Sequence, residues 1–178
     1  MMKANIQNYI SGVLLFLIVA TSGCVTSSIS SNKSPDFNQK ITRLYLVIRS
    51  SKGAKEFSYS FKTEFLRTLS SRGIVTDYEV LDELALESDK DLTDKISNFG
   101  PQVVMVMNQT ESKSNAGQTF GASHNISGGT FDIKLLLPAS DKPVWRASLD
   151  AYGDSGIEAA VDKSVRNLVT KLTEDGLI

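Results

Sequence analysis

The sequence contains few of the residues that build metal centres, disulfides and nucleophilic sites. Its 178 residues include one cysteine, Cys24, one histidine, His124, and one tryptophan. A single cysteine excludes a disulfide within the chain, and a zinc site needs several cysteine, histidine or carboxylate ligands around one ion. No phosphate-binding glycine motif is present either. We therefore predict a protein with no metal and no cofactor.

An excess of positive charge is also missing. The chain has 19 lysines and arginines against 20 aspartates and glutamates, which gives a formal net charge of −1. Because nucleic-acid binding requires a clustered basic surface, we expect no nucleic-acid partner. The same balance argues against electrostatic adhesion of the protein to anionic lipid.

The amino terminus lacks an apolar run long enough to remain in a membrane as an anchor. The run Val13–Ala20 has eight apolar residues, whereas a bilayer-spanning helix needs about 20. Lys3 precedes the run, and small residues follow it up to Gly23. A short apolar run between a charged start and small residues is typical of a secretory signal peptide, so we predict that residues 1–23 form one.

Cys24 follows the predicted signal peptide directly. It has no second cysteine to pair with, and its neighbours are hydroxyl and apolar side chains rather than a base that would activate a catalytic thiol. Two interpretations are left, a lipid attachment point and an incidental cysteine of a secreted protein. The shortness of the apolar run and the position of the cysteine favour attachment.

The stretch Thr21-Ser22-Gly23-Cys24 resembles the lipobox of bacterial lipoproteins, although that family usually has leucine where Thr21 stands. The resemblance implies cleavage between Gly23 and Cys24, diacylglyceryl transfer to the Cys24 sulfur and acylation of the new amino terminus. Val25 stands where an aspartate would imply retention in the inner membrane of enteric bacteria. The resemblance therefore implies a lipoprotein of the cell outer membrane, with its acyl chains as the membrane contact. We expect its domain to face the periplasm, with exposure at the cell surface as the alternative.

Residues 24–39 are rich in serine and have little to bury, a composition that predicts a flexible tether, and the resemblance to a lipobox implies that it is lipidated at Cys24. About 15 flexible residues reach roughly 20 Å. Residues 40–178 would then form one periplasmic domain, which is long enough to bury a core without crosslinks.

Apolar periodicity predicts the elements of that domain. Strands are expected where apolar residues are continuous or alternate, and helices where they recur every three or four residues. The predicted strands are 41–49, 74–81, 102–109, 130–138 and 143–152, and the helices lie within 56–73, 88–101 and 155–176. The order βαβαβ, then ββ, then α predicts a single-domain α/β (α+β) fold with a mixed five-stranded sheet and three helices.

This order of elements is similar to the small α/β domain of several outer-membrane lipoproteins. They include the penicillin-binding-protein activators, the curli secretion lipoprotein and the amino-terminal domain of the Tol translocation β-propeller protein. The stretch "VWRASLDA" (144–151) also resembles a strand of uncharacterised proteobacterial lipoproteins. No functional residue follows from this resemblance.

Two short stretches resemble parts of hydrolase sites. "GDSG" at 153–156 resembles the nucleophile segment of chymotrypsin-like proteases, but those enzymes need a histidine and a buried aspartate placed by two β-barrels. We predict instead that Ser155 is a helix N-cap in a capping box with Glu158. His124 lies in a glycine-rich stretch, which does not hold a catalytic group rigidly. A hydrolase using Ser155 or His124 is the alternative hypothesis.

The acidic residues between Asp82 and Asp94 suggest calcium, but they lack the spacing of an EF-hand loop. We predict that they serve a helix start, with Ser88 as its N-cap, and a solvated surface.

Residues 111–129 are small, polar and glycine-rich, and we predict a flexible loop there. Phe120 stands alone among polar residues, so Phe120 and His124 are candidate contacts for a partner. The alternative to a functional loop is that residues 111–129 form a hairpin tip or two strand extensions. The sequence thus predicts a non-enzymatic accessory or assembly lipoprotein that binds another protein or component of the cell envelope. A peptidoglycan- or small-ligand-binding module is a further alternative.

Overall fold

The computed structural model describes residues 25–82, 85–114, 126–138, 140–153 and 156–178. Six strands form one mixed sheet in the order β1-β6-β5-β4-β2-β3. The strands are β1 Val25–Lys33, β2 Arg43–Arg49, β3 Val75–Leu81, β4 Val103–Ser114, β5 Ile126–Leu136 and β6 Pro143–Gly153. The helices are α1 Lys55–Ser70, α2 Asp89–Phe99 and α3 Ile157–Glu174. The predicted single-domain α+β fold with three helices is confirmed.

The two halves of the sheet have the predicted directions. β2 pairs in parallel with β3 on one side and with β4 on the other, as two crossover connections require. β4, β5 and β6 then follow one another as antiparallel neighbours, so the predicted strands 130–138 and 143–152 form a hairpin.

The strand count and the tether were predicted wrongly. Residues 25–33 form β1, a sixth strand that pairs antiparallel with β6 from Val25 opposite Gly153 to Lys33 opposite Trp145. Phe37, also within the predicted tether, is buried in the core. The serine-rich composition concealed β1 because an edge strand is held mainly by backbone pairing. Among its described side chains, Ile29 is the apolar one packed against the core.

α1 and α3 cover one face of the sheet and enclose the larger core. A stripe of residues at every fourth position of α1 is fully buried: Phe57, Phe61, Phe65 and Leu69. The Phe57 ring stacks on Phe131 of β5 with 5.2 Å between centroids, in the range of a favourable aromatic contact. The larger core therefore joins the helices to the antiparallel half of the sheet.

α2 covers the opposite face only over the parallel strands, where Leu92 packs with Tyr45, Val47 and Val104. Parallel strands are usually buried on both faces, and β2 follows that rule, since residues 44–48 are all buried. On the same face of β5 and β6, Asp132 accepts a hydrogen bond from Arg146 at 3.0 Å. This face of the antiparallel half carries polar groups.

The helix boundaries agree with the predictions except at the start of α3. Ser88 caps α2 in a reciprocal capping box with Asp91. For α3 the N-cap position is Gly156, one residue beyond the predicted Ser155, which lies outside the described residues. Leu137 lies just after the last residue of β5, Leu136, and is 36% exposed.

Asp175, just after α3, attaches β1 to the rest of the domain. Its carboxylate accepts a hydrogen bond from Ser31 Oγ of β1 at 2.6 Å and one from the Trp145 indole N–H at 2.7 Å. Burial by itself raises the pKa of Asp175, but the hydrogen bonds from Ser31 and Trp145 and the charge of Lys171 outweigh burial. The pKa of Asp175 therefore lies below its usual value.

We predict that Asp175→Ala lowers the free energy of unfolding by about 2–3 kcal/mol, because it leaves the buried Trp145 N–H without its acceptor. Since the folded-state pKa is lowered, the stabilisation by Asp175 is present above about pH 4 and is lost as the pH falls below it. Urea unfolding at neutral pH and below pH 4 measures both effects: the stability of the variant should vary less with pH in this range.

Asp162→Ala is the matched control, since Asp162 forms an exposed helical ion pair with Arg166. Such pairs contribute less than about 0.5 kcal/mol. Equal losses in the two variants would show that Asp175 does not hold β1.

Candidate functional site

A crevice lies where the parallel strands end. β2 lies between β3 and β4 in the sheet. The chain runs from β2 to β3 on one side and then crosses to β4 on the other side, so the strand order reverses at β2. In sheets of this kind ligands bind outside the carboxyl ends of the strands, where the strand order reverses. A cavity of about 480 Å³ occupies that position, lined by residues 49–51, 81–82 and 108–112. We call it the carboxyl-end crevice.

Gln109 organises the centre of the crevice. Its Oε1 accepts hydrogen bonds from the Ser51 backbone N–H at 2.9 Å and from Ser51 Oγ at 3.0 Å. Its Nε2 donates to Ser112 Oγ at 2.9 Å. One amide side chain therefore connects the loop after β2 to β4.

The register of β4 shifts against β5 between Gln109 and Glu111, an irregularity of the kind that re-aims side chains next to binding sites. Thr110 is exposed, and its hydroxyl donates to the Thr130 carbonyl at 3.1 Å. Thr110 thus lines the crevice and joins β4 to β5 beside it.

The inner part of the crevice contains a buried pair of hydroxyls. Ser58 Oγ of α1 donates to Ser50 Oγ at 2.9 Å, and Ser50 is only 8% exposed. A serine nucleophile is activated by an adjacent base, but the acceptor of the Ser58 hydroxyl is another hydroxyl. The pair therefore joins α1 to the end of β2 and does not resemble a nucleophile with its base.

The rim of the crevice is charged with both signs. Arg49 lies 3.7 Å from Asp89, and Lys55 lies 3.8 Å from Asp82. The interior carries amide and hydroxyl groups, which can donate and accept hydrogen bonds without transferring a proton. This chemistry suits the binding of a polar group, such as the backbone of a partner.

β4 continues well beyond β2. Its pairing with β2 ends at Asn108, and residues 109–114 continue along β5 alone, with Thr110 at the irregularity between two paired residues. At about 3.3 Å per residue, these residues extend about 20 Å past the parallel half. We call residues 109–114 with 126–131 the projecting ribbon.

The predicted flexible loop 111–129 is wrong at both ends, since residues 111–114 and 126–129 belong to strands, as in the alternative of strand extensions. A Cβ on Gly128 would lie 1.9 Å from the Ala151 carbonyl oxygen, and one on Gly129 would lie 2.4 Å from that of Glu111. Glycine is therefore present here because neighbouring backbones approach closely, although its abundance is also typical of loops.

A second hollow of about 530 Å³ lies between β3 and α2, lined by Tyr45, Asp77, Tyr78, Glu79, Lys95, Asn98 and Phe99. Burial, followed by the charges of Asp77 and Glu79, raises the pKa of Tyr45 to about 12, so its phenol stays protonated. Lys95 bridges Glu79 at 2.6 Å and Glu87 at 2.5 Å, and its hydrogen bonds to both raise its pKa. These contacts hold α2 against the sheet.

The site residues predicted from sequence are not in the described part of the chain. Gly23, Cys24, Phe120, His124 and Ser155 all lie outside it, so their roles remain predictions. The sequence analysis did not identify Gln109 and Ser51 as site residues. Gln109 ends one predicted parallel strand, and Ser51 comes two residues after another. Their positions could have indicated a shared site, because the carboxyl ends of parallel strands meet at one edge of the sheet.

Within the described residues, no group of three histidine, cysteine or carboxylate side chains is placed to hold a metal ion. Asp91 of the acidic stretch caps α2, while Glu87 pairs with Lys95. As far as the described helices go, none combines the length and apolarity that crossing a bilayer requires.

Among known proteins, this chain is similar in structure to several solved structures. No family model and no curated protein matches it. The structure is similar to the PelC dodecamer from Paraburkholderia phytofirmans, with a TM-score of 0.56 and 13% identity over 83% of this chain and 97% of that one. Lipoprotein GNA1162 from Neisseria meningitidis matches at 12% identity over 75% and 99% of the two chains, with a TM-score of 0.41. At 13% identity the similarity to PelC shows a shared fold and nothing more.

We predict that Gln109→Ala lowers the free energy of unfolding by about 1–2 kcal/mol, because it removes four hydrogen bonds and leaves the Ser51 N–H without its acceptor. Thr110→Ala, on the same strand, removes one exposed hydrogen bond and should cost less than about 0.5 kcal/mol. Chemical denaturation measures both. Indistinguishable losses would show that Gln109 does not organise the crevice.

Proposed function

We propose that this chain is a lipid-anchored accessory protein of the bacterial cell envelope, which binds another envelope component and performs no catalysis. The observation that carries the proposal is the carboxyl-end crevice bordered by the projecting ribbon. Its interior presents the amide of Gln109 and the hydroxyls of Ser51 and Ser112, which suit recognition better than proton transfer.

The ribbon adds an extended surface to that site. Thr110, Glu111 and Ser112 are exposed along β4, and they lie past the last residue of β4 that pairs with β2. Exposed polar side chains beside a crevice form the rim that protein interfaces commonly have. A partner would contact the ribbon and the crevice together.

The proposed anchor is the acylated Cys24, at the inner surface of the outer membrane. Two acyl chains suffice for stable membrane attachment, and the stretch at 21–24 supports this attachment through its resemblance to a lipobox. The domain would then meet partners that belong to the same membrane or reach it from the periplasm.

Replacement of the proposed attachment residue tests the anchor. We expect the full-length chain to incorporate labelled palmitate and to sediment with membranes, and Cys24→Ser to do neither, because the sulfur that receives the lipid is gone. Thr21→Leu, which introduces the residue that lipoboxes usually have there, is the matched control and should be labelled normally. Labelling of Cys24→Ser, or none in the unaltered chain, would refute lipidation.

The alternative, a hydrolase using Ser155 or His124, predicts a different result for their replacement. We expect the double variant Ser155→Ala/His124→Ala to complement a deletion strain fully, as judged by growth and envelope permeability, because neither side chain performs chemistry. Failure to complement, with a normal amount of folded protein, would contradict the proposal and favour the hydrolase.

The identity of the partner follows from crosslinking in whole cells, with a photoreactive residue in place of Thr110. Capture of an envelope protein supports the proposal, and capture of peptidoglycan alone favours the alternative module. PelC, whose fold is similar, forms a dodecamer, so a product with twice the mass of this chain would identify a second copy as the partner.

A further inference from the structure

We propose that the carboxyl end of the sheet faces the bilayer, so that the tip of the projecting ribbon contacts the lipid surface and the carboxyl-end crevice opens towards it. This orientation rests on the lipid attachment at Cys24 proposed above. The proposal adds a fixed orientation of the domain relative to the bilayer, and this orientation restricts which partners can reach the crevice.

The first step is the absence of a tether. β1 begins at Val25, which pairs with Gly153 of β6, and Val25 directly follows Cys24 in the chain. Consecutive Cα atoms are about 3.8 Å apart, whereas a flexible tether of 15 residues would reach roughly 20 Å. A lipid on Cys24 would therefore hold the start of β1 at the headgroups.

The second step is that β1 is firmly attached to the domain. Besides its ladder to β6, the Ser27 carbonyl accepts a hydrogen bond from Asn167 of α3 at 2.9 Å. Ser31 donates to Asp175, and Lys33 Nζ donates to the Asp175 carbonyl at 2.7 Å. Because contacts occur near both ends of β1, the strand cannot act as a hinge while the domain is folded.

The third step is that the ends of β4, β5 and β6 lie at the same height in the sheet as the start of β1. Tyr152, next to Gly153, pairs with Gly128 of β5, which pairs in turn with Lys113 of β4. The start of β1 and the tip of the ribbon therefore lie in one row across the sheet. If the start of β1 is anchored, the tip of the projecting ribbon lies against the membrane.

The fourth step gives the distance to the crevice. Gln109 lies four residues before Lys113 on β4, or about 13 Å at 3.3 Å per residue. The crevice opens at the carboxyl ends of β2, β3 and β4, which point towards the same row. All three helices also begin at this end, so the positive ends of their dipoles are directed to the lipid phosphates.

The consequence concerns the partner. Groups that enter the crevice must lie within about 13 Å of the headgroups by the same strand spacing. The opposite end of the sheet is farther away by the nine residues of β1, which span about 30 Å. The orientation therefore favours partners embedded in, or lying on, the membrane that holds the anchor.

The orientation is tested with full-length, acylated protein in vesicles of phosphatidylethanolamine and phosphatidylglycerol that contain a headgroup-labelled quencher lipid. Acylated Cys24 has no free thiol, so one introduced cysteine carries the fluorophore. Glu111→Cys marks the ribbon, and Ser71→Cys marks the opposite end, directly after α1. We expect quenching at Glu111→Cys to be several-fold stronger than at Ser71→Cys.

A matched variant with about 12 Gly-Ser residues inserted between Cys24 and Val25 restores a reach of roughly 20 Å. In this variant the difference between the two positions should largely disappear. Equal quenching at the two positions without the insertion would overturn the orientation while leaving the anchor intact. Protein that fails to float with the vesicles would refute the anchor, and the orientation with it.

Discussion

The contacts between β1 and the end of α3 decide where the domain begins. Among the side chains of β1 that the structure describes, Ile29 is the one apolar group packed against the core, so these side chains supply little burial. The Asp175 carboxylate compensates by accepting hydrogen bonds from Ser31 and from the buried Trp145, and hydrogen bonds to a charged acceptor are stronger than neutral ones. Without this attachment the segment after Cys24 would behave as the tether that its composition suggests, and the distance between Cys24 and the domain would not be defined.

The second constraint is the unequal length of the strands. β2 and β3 have seven residues each, whereas β4 has 12. The parallel half of the sheet therefore ends early, and the antiparallel half continues as the projecting ribbon. The carboxyl-end crevice is a consequence of this mismatch, since one of its walls is the part of β4 that extends beyond β2. The crevice and the projecting ribbon arise at the same end of the sheet because β4, which forms part of both, runs in the same direction as β2 and β3.

The candidate site was predictable in position but not in composition. Two parallel crossovers imply a crevice at the carboxyl ends of their strands, and residues 49–51 and 108–112 follow or end the predicted strands. The Gln109 contacts depend on the register of β4 against the loop after β2, which no local pattern encodes. Gly128 and Gly129 suggested a loop because glycine is common in loops, whereas here it permits close approach of neighbouring backbones. Cys24, Phe120, His124 and Ser155 lie outside the described residues and stay predictions.

The sequence by itself determined the elements that bury an apolar stripe. The phenylalanines of α1 recur every four residues, and β2, β4, β5 and β6 show continuous or alternating apolar residues, so local periodicity specifies both the element and its buried face. Only the tertiary structure decided that residues 25–33 form a strand and that 111–114 and 126–129 extend two others. These segments are polar, and backbone pairing with strands distant in sequence, rather than burial of their own side chains, supplies most of what orders them.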